Sequence, residues 1–287
     1  MKFCRFDDNK LGLVDKNRVL DVTAAADILP DLRWPLPRGD AFIANLELVT
    51  AEMMRLRDGA KEYALSDICL LSPIANPGKI IGAPVNYLLH QAEANNDDEI
   101  TFGMPVKTVD DLGLFLKAGS ALVGPGQGVV AERSDKRTDH EIELALVIGM
   151  GGRNISEDQA HSHIAGYCIG LDMTIRGTED RSLRKSLDSF AVLGPWFASA
   201  DEIPDPDNLA LELKVNGEVR QKSATSALIY DVARLISYAS SHYTLDPGDV
   251  ILTGTPEGVG PVVPGDKLDC RIEGIGDMTV MVRGSDA

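Results

Sequence analysis

The chain has little positive charge. Its 287 residues carry 28 Lys and Arg against 44 Asp and Glu, a formal net charge of −16. Nucleic-acid binders and proteins that cling to anionic membranes need a basic face, so no nucleic acid and no membrane partner is expected. Cysteine is also scarce. Cys4, Cys69, Cys168 and Cys270 form no C-x-x-C pair, which fits a reduced, cytoplasmic protein. No apolar run approaches the roughly 18 residues of a membrane span. Residues 1–8 lack the long apolar stretch of a secretory signal. Neither G-x-G-x-x-G nor a regular βαβ alternation is present, which excludes a Rossmann sheet from the expectation. There is no internal repeat and no low-complexity tract.

What is present is a strand-rich pattern. Residues 1–6 and 11–22 read as short strands with turns at Asp7-Asp8-Asn9 and Asp15-Lys16-Asn17. Residues 41–57 have helical spacing, with Leu46, Met53 and Leu56 among the apolar positions. Pro73 and Pro77 with Gly78 mark a boundary near residue 72. The expected organisation is a small N-terminal α/β unit over 1–72 and a larger domain over 73–287. In the larger domain the strand candidates are 79–82, 113–117, 141–148, 165–171, 209–215, 249–253 and 268–272. The helix candidates are 87–95, 156–163 and 228–242. Ser156 followed by Gln159 predicts a capping box at the start of the second. The fold class is α+β and β-dominated.

The segment Glu141-Ile142-Glu143-Leu144-Ala145-Leu146-Val147-Ile148 is the most informative stretch. Its branched apolar residues read as a buried strand, and side chains alternate along a strand. Glu141 and Glu143 therefore share a face, where two carboxylates repel each other and lose hydration. Asp172 follows another apolar strand and can supply a third carboxylate. An oxygen-only set suits Mg²⁺, Mn²⁺ or Ca²⁺ rather than Zn²⁺. Residue types alone leave open an exposed sheet face on a very acidic protein.

Taken in order, these and further motifs resemble the fumarylacetoacetate hydrolase family. They include Asn86-Tyr87-Leu88-Leu89-His90, Phe115-Leu116-Lys117, Glu141-Ile142-Glu143-Leu144, Gly166-Tyr167 with Asp172, and Lys185-Ser186-Leu187-Asp188-Ser189-Phe190. Leu193-Gly194-Pro195-Trp196, Val215-Asn216-Gly217-Glu218 and the run Leu252–Gly260 complete the set, which spans roughly residues 79 to 276. The resemblance implies a mixed β-roll core, a homodimer, and a divalent cation, Mg²⁺ with Mn²⁺ or Ca²⁺ as alternatives, on Glu141, Glu143 and Asp172.

Three further readings start from the residues and gain a role from the resemblance. His90 and Glu93 are three apart in a predicted helix and share a face. By pattern that face is either solvated or catalytic; in hydrolytic relatives such a pair activates water on a lid. Lys117 ends an apolar strand, where it either snorkels to water or enters a cleft and stabilises an oxyanion. Thr255 lies in a Gly-Thr-Pro turn, which turn chemistry alone explains; the family position holds a substrate carboxylate. Arg176 and Lys185 match family positions near the substrate. Gly177 replaces a usual aspartate and Glu179 a common glutamine, so substrate selection is where this chain departs.

The implied reaction is hydrolysis of the C3–C4 bond of a 2,4-dioxo acid, an acylpyruvate or a diketo-deoxy sugar acid, to pyruvate and a carboxylic acid. His90 and Glu93 activate water, with Lys117 and Lys185 assisting. Alternatives with the same metal and enolate chemistry are isomerisation of 2-hydroxyhepta-2,4-diene-1,7-dioate type and oxaloacetate decarboxylation. A catalytically silent binding module is a third class.

Overall fold

Branched apolar residues leave no position for water along Ile142–Ile148, and this strand is buried at every residue. The structure, a computed structural model, describes residues 1–131 and 136–284. The buried strand lies inside a large mixed sheet. Across it run Lys61–Ala64, Arg18–Asp21, Lys10–Asp15, Lys2–Phe6, Ala191–Ser199, Ile164–Asp172, Ile142–Ile148, Val250–Leu252, Ile80–Gly82 and Phe115–Lys117. Most neighbours are antiparallel; Val250–Leu252 pairs in parallel with Ile80–Gly82. Two smaller sheets complete the fold. One joins Thr174–Ile175, Thr138–His140 and Gly260–Pro261; the other has five strands, including Ala210–Val215 and Lys267–Ile272. The α+β, β-dominated class is observed.

The first strand, Lys2–Phe6, pairs with Ala191–Ser199, so the N-terminal segment extends the large sheet rather than building a sheet of its own. It also seals one face of it. Ala145 and Val147 pack in one core with Phe3, Val49, Met53 and Phe197. Glu143 and Glu141 precede them on the same face by the period of two. One end of this strand face is thus closed by apolar side chains, while the other carries carboxylates. The alternate residues Ile142, Leu144, Leu146 and Ile148 face the second and larger core.

Most predicted elements form within two residues of their expected ends, and three differences are instructive. The helix over 41–57 is broken at Asn45, with Ala41–Ala44 capped by Asp40, whose carboxylate accepts from Phe42 and Ile43 N–H at 2.8 and 3.1 Å. The capping box at Ser156 does not form: the Ser156 side chain makes no cap bond, and only its carbonyl accepts from Gln159 N–H. Ala191–Ser199, Glu218–Ala224 and Gly276–Arg283 are strands beyond those expected. Pro195 argues against the first as a ladder strand; its neighbour Ile164–Asp172 absorbs it with a register shift between Tyr167 and Ile169. The last has clean alternation of buried Met278, Val280 and Val282, a signal the sequence did carry.

Candidate active site

Sheet register brings the three acids together. Ile142 pairs with Leu171, and Asp172 N–H donates to Glu141 carbonyl at 2.9 Å, so Asp172 stands opposite Glu141. Opposed residues of an antiparallel pair project to the same face. One carboxylate oxygen each from Glu141, Glu143 and Asp172 lie within 4.8 Å of one another, and all three residues are buried.

Buried carboxylates need partners, and the three are served unequally. Lys185 Nζ reaches Glu141 at 2.8 Å, Asp172 at 2.5 Å and the Thr174 hydroxyl at 2.7 Å. Lys117 Nζ donates to the other oxygen of Asp172. Arg176 bridges Asp139 at 2.7 Å and Glu141 at 2.8 Å. Burial works against ionising Glu141, but Lys185 and Arg176 outweigh it and hold its carboxyl far below the usual range. Glu143 accepts the Gly254 N–H at 2.6 Å and has no cation within ion-pair distance among the described residues. Burial, then Asp172 and Glu141, push its pKa well up. Burial pulls Lys117 below the usual lysine value despite Asp172, with Lys185 adding like-charge repulsion; in Lys185 itself Asp172 and Glu141 overcome burial and raise it. The site thus holds an oxygen-only triad with one acid short of positive charge. That donor set fits a hard divalent cation.

A cavity of about 550 Å³ opens beside the triad, within the range of small-molecule sites. His90, Arg176, Glu179, Lys185 and Thr255 line it with the three acids. His90 sits on the helix Leu88–Ala94 and is nearly buried. Its Nδ1 lies 3.7 Å from Glu93, an ion-pair distance beyond hydrogen-bond range. Both Glu93 oxygens accept from Gly258 N–H, at 3.0 and 2.9 Å, which ties the helix to the Thr-Pro loop. Burial opposes ionisation of Glu93, but His90 and Gly258 outweigh it and lower its pKa.

The remaining assignments sort differently. Thr255 lines the cavity, but its hydroxyl donates to Ile142 carbonyl at 2.8 Å and accepts from Gln221 Nε2 at 2.8 Å. Its backbone N–H has no acceptor among the described residues. Glu179 pairs with Lys136, and its carboxylate occupies the space that a side chain on residue 177 would take. The two departures at Gly177 and Glu179 are therefore one local arrangement. Lys117 touches the triad, not the cavity wall.

Sequence reasoning missed several supporting residues. Gln221, fully buried, accepts from Ile142 N–H at 3.1 Å and donates to Pro256 carbonyl at 2.9 Å, besides holding Thr255. It lies on the polar strand Glu218–Ala224, which carries no hydrophobic signal. Asp139 orients Arg176 and also binds Arg137 at 2.7 Å. Arg137 in turn holds Asp97 and Glu99 of the segment after His90, at 2.8 and 3.1 Å. Arg181 and Arg184 line the cavity as well. Two glycines are required by close approach. The Phe115 ring lies over Gly82, where a Cβ would collide with it; Gly254, at φ +96°, leaves 2.7 Å between such an atom and Asn86 Cβ.

Comparison with known proteins agrees with this geometry. The model of the fumarylacetoacetate (FAA) hydrolase C-terminal family matches residues 79–283. The chain is 52% identical over 285 residues to a maleylpyruvate hydrolase of Aquipseudomonas alcaligenes, covering 99% of each. It is 34% identical over 293 residues to 2,4-didehydro-3-deoxy-L-rhamnonate hydrolase of Sphingomonas sp. (strain SKA58), covering 96% of this chain and 94% of the other. The crystal structure of maleylpyruvate hydrolase from Sphingobium sp. SYK-6, in complex with manganese(II) and pyruvate, superposes with a TM-score of 0.84 at 36% identity over 99% of both chains.

Proposed function

The chain belongs to the fumarylacetoacetate hydrolase family, and on that premise we propose that it hydrolyses the C3–C4 bond of an acylpyruvate to pyruvate and a carboxylic acid. The observation that carries this reading is a carboxylate triad and a near-buried histidine facing one cavity. A relative that is a maleylpyruvate hydrolase, and another that binds manganese and pyruvate, support the substrate class.

A divalent cation on Glu141, Glu143 and Asp172 would supply Lewis acidity toward the 2-oxo end of the substrate. The protein's own groups account for the remaining steps. His90, with its Nδ1 facing Glu93, takes a proton from water through its other ring nitrogen. The resulting hydroxide adds to the C4 carbonyl. Collapse of that adduct breaks C3–C4, and the electron pair leaves as the enolate of pyruvate. His90 can return its proton to C3, which balances the addition of one water. Lys185 and Lys117 keep Glu141 and Asp172 in place and add positive charge where the enolate forms. Arg176 orients Glu141. Thr255 N–H is available to the substrate carboxylate, and Glu179 shapes the wall beside it.

Further parts of the reading are Mg²⁺ as the resident ion, a homodimer as the working form, residues 1–72 as an accessory unit to the catalytic domain, and the cytoplasm as the location. Buried free thiols at Cys4, Cys168 and Cys270 support the last. Among the described residues no helix is long and apolar enough to cross a membrane.

The test is purified enzyme with Mg²⁺ or Mn²⁺ and a panel of acylpyruvates, in ¹⁸O-water. The expected result is pyruvate release with solvent oxygen in the new carboxylate of the second product. His90→Gln should lower kcat by at least about a hundredfold. Absence of pyruvate from every member refutes hydrolysis, and isomerised or decarboxylated product without ¹⁸O uptake selects the alternative chemistry.

A further inference from the structure

Three of the cations that line the cavity, the exposed Lys107 and the more enclosed Arg181 and Arg184, have no acid within ion-pair distance among the described residues. Lys185 and Arg176 are each held by acids at 2.8 Å or closer. Arg181 and Arg184 line the same cavity, and neither has an acidic partner within 4 Å among the described residues. Arg184 donates only to backbone carbonyls, from Nε to Glu179 at 2.9 Å and from Nη1 to Ile175 at 3.5 Å. Arg181 lies 5.7 Å from the centroid of the Phe115 ring.

The acids nearest in sequence are engaged elsewhere. Glu179 pairs with Lys136, and Asp180 caps the helix Arg181–Lys185 by accepting from Ser182 N–H at 2.8 Å. Both guanidinium groups are half-buried. Burial pulls the pKa of each below the usual arginine value, the state of a cation removed from water without full compensation. A guanidinium presents a planar fork of donors suited to a carboxylate.

Position within the helix adds a distance. Arg181 and Lys185 are four residues apart, so they share a face with about 5–6 Å between Cβ atoms. Both approach the same Phe115 ring, Lys185 at 4.9 Å. Lys185 touches the triad, so Arg181 stands one helical turn from it. We propose that Arg181 and Arg184 form a second anion subsite that takes the terminal carboxylate of a dicarboxylic acylpyruvate. The preferred substrate is then a 2,4-dioxo diacid rather than a neutral-tailed acylpyruvate or a polyhydroxy sugar acid. This subsite rests on the hydrolase reading above.

The test uses a matched seven-carbon pair, 2,4-dioxoheptanedioate and 2,4-dioxoheptanoate, which differ only in the terminal carboxylate. Wild-type enzyme is expected to favour the diacid about tenfold or more in kcat/KM. Arg181→Gln and Arg184→Gln should each bring that selectivity several-fold closer to unity, mainly through KM of the diacid. Arg181→Lys should retain more of it than Arg181→Gln. Each variant is checked for native circular dichroism, and the single variants keep the test readable if the double variant does not fold. An unchanged selectivity ratio, or equal losses on both substrates, overturns the subsite. Wild-type turnover of both compounds without preference also overturns it, leaving hydrolysis intact. Wild-type failure on both, while another acylpyruvate releases pyruvate, overturns the subsite; failure across the whole panel removes the hydrolase reading itself.

Discussion

Two stretches of the cavity wall handle charge in opposite ways. At the triad, Glu141 and Asp172 are matched by Lys185, Lys117 and Arg176, and Asp139 holds Arg176 from behind. About one helical turn from Lys185, Arg181 and Arg184 have no acid within ion-pair distance among the described residues. A paired buried charge is fixed in place and costs little reorganisation when chemistry occurs. An unpaired one retains its desolvation cost until a ligand supplies the counter-charge. The paired stretch is therefore read as machinery, and the unpaired stretch as recognition.

Substitutions at the paired stretch should give the largest effects. Glu141→Ala removes one triad acid and one of the two acidic partners of Lys185 and of Arg176; activity is expected to fall about a thousandfold or more, because the ion loses a ligand. Chelator treatment of the wild type should abolish turnover, with recovery on adding Mg²⁺ or Mn²⁺, as read by pyruvate release. If Glu141→Ala turned over normally, the distinction between the two stretches would collapse.

A smaller effect is expected one contact away. Asp139→Asn weakens the hold on Arg176 and Arg137 without touching the triad. Metal affinity or kcat should fall about ten- to a hundredfold, measured by titration with Mn²⁺ and by steady-state kinetics. Equal affinity to the wild type would mean that Arg176 is held by Glu141 alone.

The smallest effect is expected at the clasp over the cavity. Asp97→Asn keeps the N-cap of Asp98–Thr101 but removes one of the three charges that Arg137 meets. KM should rise a few-fold with kcat little changed, since Glu99 and Asp139 still hold Arg137. Burial opposes ionisation of Asp97, but Arg137 outweighs it and holds its pKa below the usual value. A depressed carboxylate pKa means the pair is formed above the unfolded value of about 3.9 and lost only as pH falls through the folded value. The ratio of variant to wild-type KM should therefore be flat from pH 5 to 9. A ratio that changes inside that window would assign the clasp to another group.

Much of the metal site was legible in residue order. Ile142–Ile148 announces a buried strand by composition, and a period of two puts Glu141 and Glu143 on one face. His90 and Glu93 share a helix face by spacing alone, although their separation of 3.7 Å was not legible. Gln221 was hidden because Glu218–Ala224 is polar and exposed along most of its length. Arg181 and Arg184 lie in the charge-dense run of residues 176–185, which by composition reads as a solvated loop when its neighbours are unknown.

Local pattern determined the strands and the shared face of Glu141 and Glu143. These follow from alternation and composition, which depend on neighbours in sequence. Only tertiary structure decided that Asp172 stands opposite Glu141, that Thr255 gives its hydroxyl to the scaffold, and which arginines are left without an acid. Each of those depends on register and long-range pairing, where residues more than thirty positions apart become neighbours, and a linear pattern carries no record of which partner a charge will meet.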